Sequence, residues 1–172
     1  KCMRETNSSG GMVECEITGV PAGIGEPAFE KLDAALAKAM FSIGAVKGFE
    51  IGEGMEAARL TGLENNDAYR MDTEGQIMKK TNHSGGITGG ISDGAPILFR
   101  AAFKPTPSIA APQETVNRQG EEIEIRIKGR HDPIIVPRAV VVVESMAALV
   151  ILDAMLGSMT TRLDKIKEFF DK

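Results

Sequence analysis

The sequence predicts an α+β domain, on three observations. Several short stretches alternate apolar and polar residues with the period of a half-buried strand. One stretch carries an apolar stripe at helical spacing. A long apolar stretch towards the end of the chain combines helix formers with very few charges. At 172 residues, 42% hydrophobic and 26% charged, the chain suits one domain (residues 1–172) with a real core.

In "GMVECEITGV", Val13, Cys15 and Ile17 alternate with Glu14, Glu16 and Thr18, which predicts a strand. "PAGIGEP" breaks the chain. Phe29, Leu32, Leu36, Ala39, Met40 and Ile43 then share one helical face, predicting a helix over Glu26 to Ser42 with Pro27 as its first helical residue. "AVKGFEIG" reads as a short strand and "EGMEAARLTG" as a short helix ended by Gly62. Residues 63–81 are polar and irregular, the pattern of a loop or insertion. "APILFRAAF" is an apolar strand. In "ETVNRQGEEIEIRIKG", Ile123, Ile125 and Ile127 alternate with charges, and Arg118-Gln119-Gly120 makes the turn of a hairpin. Pro137 to Leu156 predicts a buried helix because nearly every residue is apolar, and Asp164 to Phe170 a terminal amphipathic one. Met40, Met55, Met146 and Met155 lie in apolar segments and read as core filling.

Composition excludes several classes of function. The net charge is −4 and the isoelectric point about 5.3, so no global basic field is available for nucleic acid. With no Trp and a single Tyr, base-stacking platforms are scarce too. The apolar run Ala139 to Val143 stops at Glu144, so no membrane span is expected. No secretory signal pattern is visible in the residues before the first strand. Cys2 and Cys15 have no partners at metal-ligand spacing; they read as free cytoplasmic thiols, with a disulfide between them as the alternative. The opening "KCMRETNSSGG" looks like entry into the middle of something longer.

Three stretches could carry chemistry. The first, "NHSGGITGGISDG", has five glycines in residues 85–94. It is not a P-loop, because no Gly-Lys-Ser/Thr follows, nor a dinucleotide fingerprint, because a strand follows. It is either a connecting loop or a run of unshielded backbone N–H groups that can cradle an anion. The second, "KPTPS" (Lys104 to Ser108), is stiffened by two prolines and projects a cation and two hydroxyls. That suits a phosphate or a polar heterocycle, and equally a guarded sheet edge. The third, "GRHDP" (Gly129 to Pro133), packs a guanidinium, an imidazole and a carboxylate together. Asp132 can be a proton shuttle or a helix cap. His83 can face a ligand or close a turn. With His83 and His131 the only histidines and no matching Cys, no metal site is expected. Glu14, Glu16, Glu122 and Glu124 read as solvent faces of strands.

Taken together, "GVPAGIGEPAFEKLDAALAKAMFSIGAVKGFEIGEGM", "NHSGGITGGISDGAPILFRAAFKPTPSI" and "VNRQGEEIEIRIKGRHDPIIVPRAVVVVESMAALVILD" resemble the chorismate synthase family, in the family's order and over nearly the whole chain. The resemblance implies a β-α-β sandwich, with helices held between two antiparallel sheets. It implies conversion of 5-enolpyruvylshikimate 3-phosphate to chorismate by anti-1,4-elimination of phosphate and a ring proton, in aromatic amino-acid biosynthesis. It also implies a cytoplasmic homotetramer that requires reduced FMN although there is no net redox change. Across the family the flavin is reduced by a separate reductase or by an intrinsic NADPH-dependent activity, and the resemblance leaves that choice open. Carried over by position, FMN contacts fall at Gly44, Ala45, Gly89, Lys104, Pro105, Thr106, Pro107, Ser108 and Arg130, and Asp132 matches the acid that exchanges a proton at flavin N5.

Gly44 stands where many relatives carry Asn, and Ile134 where a small residue or Cys is usual. The family's "SHG" histidine, second catalytic histidine, phosphate-binding arginines and Ser-Ala-Arg flavin segment find no match in these residues. The expectation is therefore a carboxy-terminal half of the enzyme, inactive alone. The alternatives are a non-catalytic flavin- or anion-binding module and a purely structural interaction domain.

Overall fold

A computed structural model describes residues 1–2, 4–129 and 132–171 of the chain. Its centre is a three-stranded antiparallel sheet ordered β1 (Gly11–Ile17), β7 (Ile97–Phe103), β2 (Val46–Ile51). Between β2 and β7 the chain makes a 3₁₀ turn (Gly54–Arg59), the hairpin β3 (Tyr69–Met71) and β4 (Ile77–Lys79), and the two-residue strands β5 (Ile87–Thr88) and β6 (Ile91–Ser92). A second hairpin, β8 (Gln113–Val116) and β9 (Glu122–Ile125), follows β7. The helices are α1 (Leu32–Ser42), α2 (Val136–Ser158) and α3 (Leu163–Phe170).

The core forms where periods 2 and 3.6 meet. On β7 the residues Ile97, Phe99, Ala101 and Phe103 all turn to one face and are buried. Against them α1 sets Leu32, Leu36, Ala39 and Met40, and α2 sets Ala139, Val143, Ala147 and Ile151, spaced one helical turn apart. Phe49 of β2 tilts against Phe99 at 5.4 Å between ring centres. Burying a side chain such as Phe99 contributes about 3 kcal/mol, so truncating it would open the middle of the sheet. The other face of the sheet is polar, with Arg100 placed 2.9 Å from Glu14 and 3.7 Å from Glu50.

Several expectations change. The first helix begins at Leu32, not Glu26, because Gly90 packs where its opening turns would run and takes the Leu32 N–H at 2.9 Å. Phe29, expected in the core, is 97% exposed with φ +56°, at the apex of a tight turn closed by the Glu30 N–H on Ala28 O. Residues 63–81, expected irregular, contain the β3–β4 hairpin. α2 is not buried: Val140, Val141, Val142, Leu149, Leu152, Met155 and Leu156 lie open, because only one of its faces meets a layer. At 23 residues α2 is also long and apolar enough to cross a membrane by length and composition, which a search for uninterrupted runs misses at Glu144. Ile123 and Ile125 are exposed as well, so both faces of the β8–β9 hairpin are open. Of the four methionines expected in the core, Met40 and Met146 pack there, whereas Met55 and Met155 are exposed.

Candidate functional site

Three of the predicted segments, those of Ala45, Lys104 and Asp132, meet at the Phe103 end of the sheet. α1 stops at Ser42 and turns through Ile43, Gly44 and Ala45 into β2, with the Val46 N–H on Ile43 O at 3.3 Å. That bond and a φ of +72° at Ala45 define a type II turn with alanine at the position that favours glycine. Ala45 O accepts the Lys104 N–H at 2.9 Å, so the 44–45 and 104–108 segments are joined directly. Lys104 is exposed and makes no ion pair among the described residues. Gly44 is exposed with open space where a Cβ would stand.

A strap of residues before β1 stitches this end together. The Ser8 hydroxyl donates to Thr106 O at 2.6 Å, and the Ser9 N–H donates to Pro133 O at 2.8 Å. Ser9 also bridges Ile134 in parallel fashion. Pro107 O takes the Gln113 side-chain amide at 3.0 Å. Asp132 faces a cavity of about 220 Å³ lined by Thr6, Asn7, Ile109, Ala110, Gly129 and Pro133. Its carboxylate is ion-paired with the Arg138 guanidinium at 2.8 Å. Asp132 is not the cap of α2, whose N-cap is Ile135 with no side-chain cap bond. Arg130 and His131 lie outside the described residues.

Gly89 is elsewhere. Gly89 and Gly90, with φ +63° and +87°, form the two-residue turn between Thr88 and Ile91, a type I′ hairpin. The Gly90 carbonyl receives the first N–H of α1, so Gly89 and Ala45 sit at opposite ends of an eleven-residue helix, about 16 Å apart along its axis. Most of the glycine density serves the chain's own backbone. A Cβ on Gly85 would collide with Gly52, on Gly86 with Pro96 O, and on Gly90 with Glu26 O. Around Gly89 alone nothing lies within contact distance.

The glycine end also contains a buried charge network. Lys79 reaches Asp93 at 2.5 Å and Asp67 at 3.5 Å, all three with side chains at most 11% exposed. Asp67 accepts from the His83 N–H, the Ser84 N–H and the Thr81 hydroxyl. Burial pushes its acidity down, but those bonds outweigh burial and hold the carboxyl well below the usual range. The His83 imidazole lies beside the same carboxylate, Nδ1 to Oδ1 3.3 Å without hydrogen-bond alignment. Ser8, Ser9, Arg138, Asp67 and Lys79 were not singled out from the sequence. Ser8 and Ser9 carried a weak signal as paired hydroxyls before a strand, and the others none.

The sequence profile of the family described as chorismate synthase matches residues 1–156. The chain belongs to that family. It is 64% identical to a chorismate synthase of Agathobacter rectalis over 172 residues, all of this chain and 47% of the relative. It is 63% identical to one of Lachnoclostridium phytofermentans over the same extent, and 56% identical to one of Caulobacter vibrioides over 156 residues, 91% of this chain and 42% of that one. A solved structure titled "Crystal Structure of Chorismate Synthase" superposes with a TM-score of 0.73 at 32% identity, covering 99% of this chain and 44% of the other. The fold is that of a chorismate synthase partial domain, and the chain spans about half the length of the relatives it matches.

Proposed function

We propose that this chain forms the flavin-side wall of a chorismate synthase, the lyase that eliminates phosphate from 5-enolpyruvylshikimate 3-phosphate. The observation that carries the reading is the Lys104 N–H bond to Ala45 O, which joins the two segments expected to touch FMN. The residues fit an anionic, phosphate-bearing cofactor. Lys104 exposes a cation on a backbone stiffened by Pro105 and Pro107 and pinned by Ser8 and Gln113. The cavity at Asp132 is smaller than the roughly 300–1,000 Å³ of ordinary ligand pockets, which suits a wall completed by other parts of the enzyme.

Reduced FMN, when bound, supplies the electron-rich partner for loss of the phosphate, with no net redox change. The chain's own part is to hold and to exchange a proton. Lys104 attracts negative charge on the cofactor and developing on the departing phosphate. Arg138 orients the Asp132 carboxylate, whose oxygens accept and return one proton. The homotetramer, the cytoplasmic setting and the NADPH link belong to the same proposal.

Titration of reduced FMN into the chain tests it. Lys104→Ala is expected to weaken binding about tenfold with unchanged thermal stability. Equal affinity for both proteins would defeat the proposal. The chain alone is expected to form no chorismate, since its residues include no match to the family's histidine acids. Chorismate release under anaerobic assay would refute that.

A further inference from the structure

The two edges of the central sheet are built differently. β2 carries devices that discourage further pairing: a register break between Val46 and Gly48, with Lys47 at the break and a glycine within the strand. β1 has neither the break nor the lysine, and its one glycine, Gly11, is its first residue. It runs seven residues in unbroken register with β7, without proline, lysine or a bulge. Among the described residues, no other strand pairs with it. Such an edge is a template for strand addition.

Charge selects the occupant. Glu14 and Glu16 stand on the outer face of β1 and are exposed. Glu14 is already bonded to Arg100, whereas Glu16 makes no ion pair among the described residues. A second copy pairing antiparallel along the full strand would set Glu14 against Glu14. Sliding the register by one residue pair would set Glu14 against Glu16 twice. Like charges directly opposite are destabilising, so self-pairing in these two registers, which pair most of the strand, is disfavoured. Val13, Cys15 and Ile17 on the inner face continue the apolar layer under α2.

We propose that the free edge of β1 receives an added strand whose outer residues are Lys or Arg opposite Glu14 and Glu16, and whose inner residues are apolar. The supplier is the remainder of the enzyme, a point that rests on the function proposed above and on a chain spanning 47% of its relative.

Hydrogen exchange on the 172-residue chain tests the edge without any flavin, so its failure is separable from failure of the proposed function. A short capped peptide alternating lysine and valine is added, and in parallel one alternating glutamate and valine. The lysine peptide is expected to slow exchange about tenfold at the β1 amides that β7 leaves unpaired, and not at β2, with the glutamate peptide inert. Glu16→Lys, which breaks no ion pair, is expected to reverse the preference. Protection at β2, equal protection by both peptides, no protection, or dimerisation of the chain through β1 would each overturn the proposal.

Discussion

The loops at the two ends of α1 do opposite things. At the Leu32 end the glycine stretch is folded into the protein. Ser92 is buried, donates to Pro21 O at 2.6 Å and accepts the Ile24 N–H at 2.9 Å, and Gly85 and Gly52 touch backbone to backbone. At the Ala45 end the segments are joined by a few bonds, and Lys104, Pro105 and Pro107 are left exposed. Glycine density thus marks close packing, and the stiff proline segment marks the surface on which chemistry can occur.

Substitutions at the closed end should be the most damaging. Gly85→Ala drives a Cβ into Gly52 at a φ of +64°, and about 4 kcal/mol of stability should be lost, measured by urea unfolding. Gly89→Ala, with a similar φ but open space, should lose only about 1 kcal/mol; equal losses would erase the distinction drawn between these glycines.

The next largest effect concerns the buried lysine. Lys79→Met leaves Asp67 and Asp93 without their cation and should destabilise the protein by about 3 kcal/mol. Asp67 and Asp93 are both shifted below their usual range, in each case against burial. A depressed carboxylate stabilises the fold above its unfolded pKa, so this contribution is lost as pH falls below about 4. Lys79 is shifted up, against burial, by Asp93 and Asp67, so its contribution is lost as pH rises beyond about 10.5. Thermal melts across pH should show a shallower acid limb in Lys79→Met than in the parent.

The smallest effect lies at the open end. Ala45→Gly relieves a left-handed alanine and should stabilise by about 0.5 kcal/mol in calorimetry. A clear loss would mean that the turn is held by contacts of the Ala45 methyl.

Strands were the most legible part of the fold. In β1 the alternation of Val13, Cys15 and Ile17 with charged or polar residues already reports which side faces the helices, whereas β7, apolar on both sides, shows itself as a strand but not which face is buried. The start of α1 was not legible, because Gly90 lies far along the chain and nothing near Phe29 announces it. The β3–β4 hairpin was hidden by its polarity: it is anchored by Lys79 on two aspartates rather than by an apolar face. At the candidate site, "KPTPS" announced its stiffness, but the bonds from Ser8 and Ser9 reach residues far along the chain, Thr106 and Pro133, and left only a weak local trace. The glycines were visible as a cluster, whereas the partner of each needed three-dimensional information.

α2 gives the chain one further property. A helix finished on one side and apolar on the other gains free energy whenever that second side meets anything apolar. Any binder that covers that side and recognises only the folded chain raises the melting temperature by mass action, in step with its own concentration.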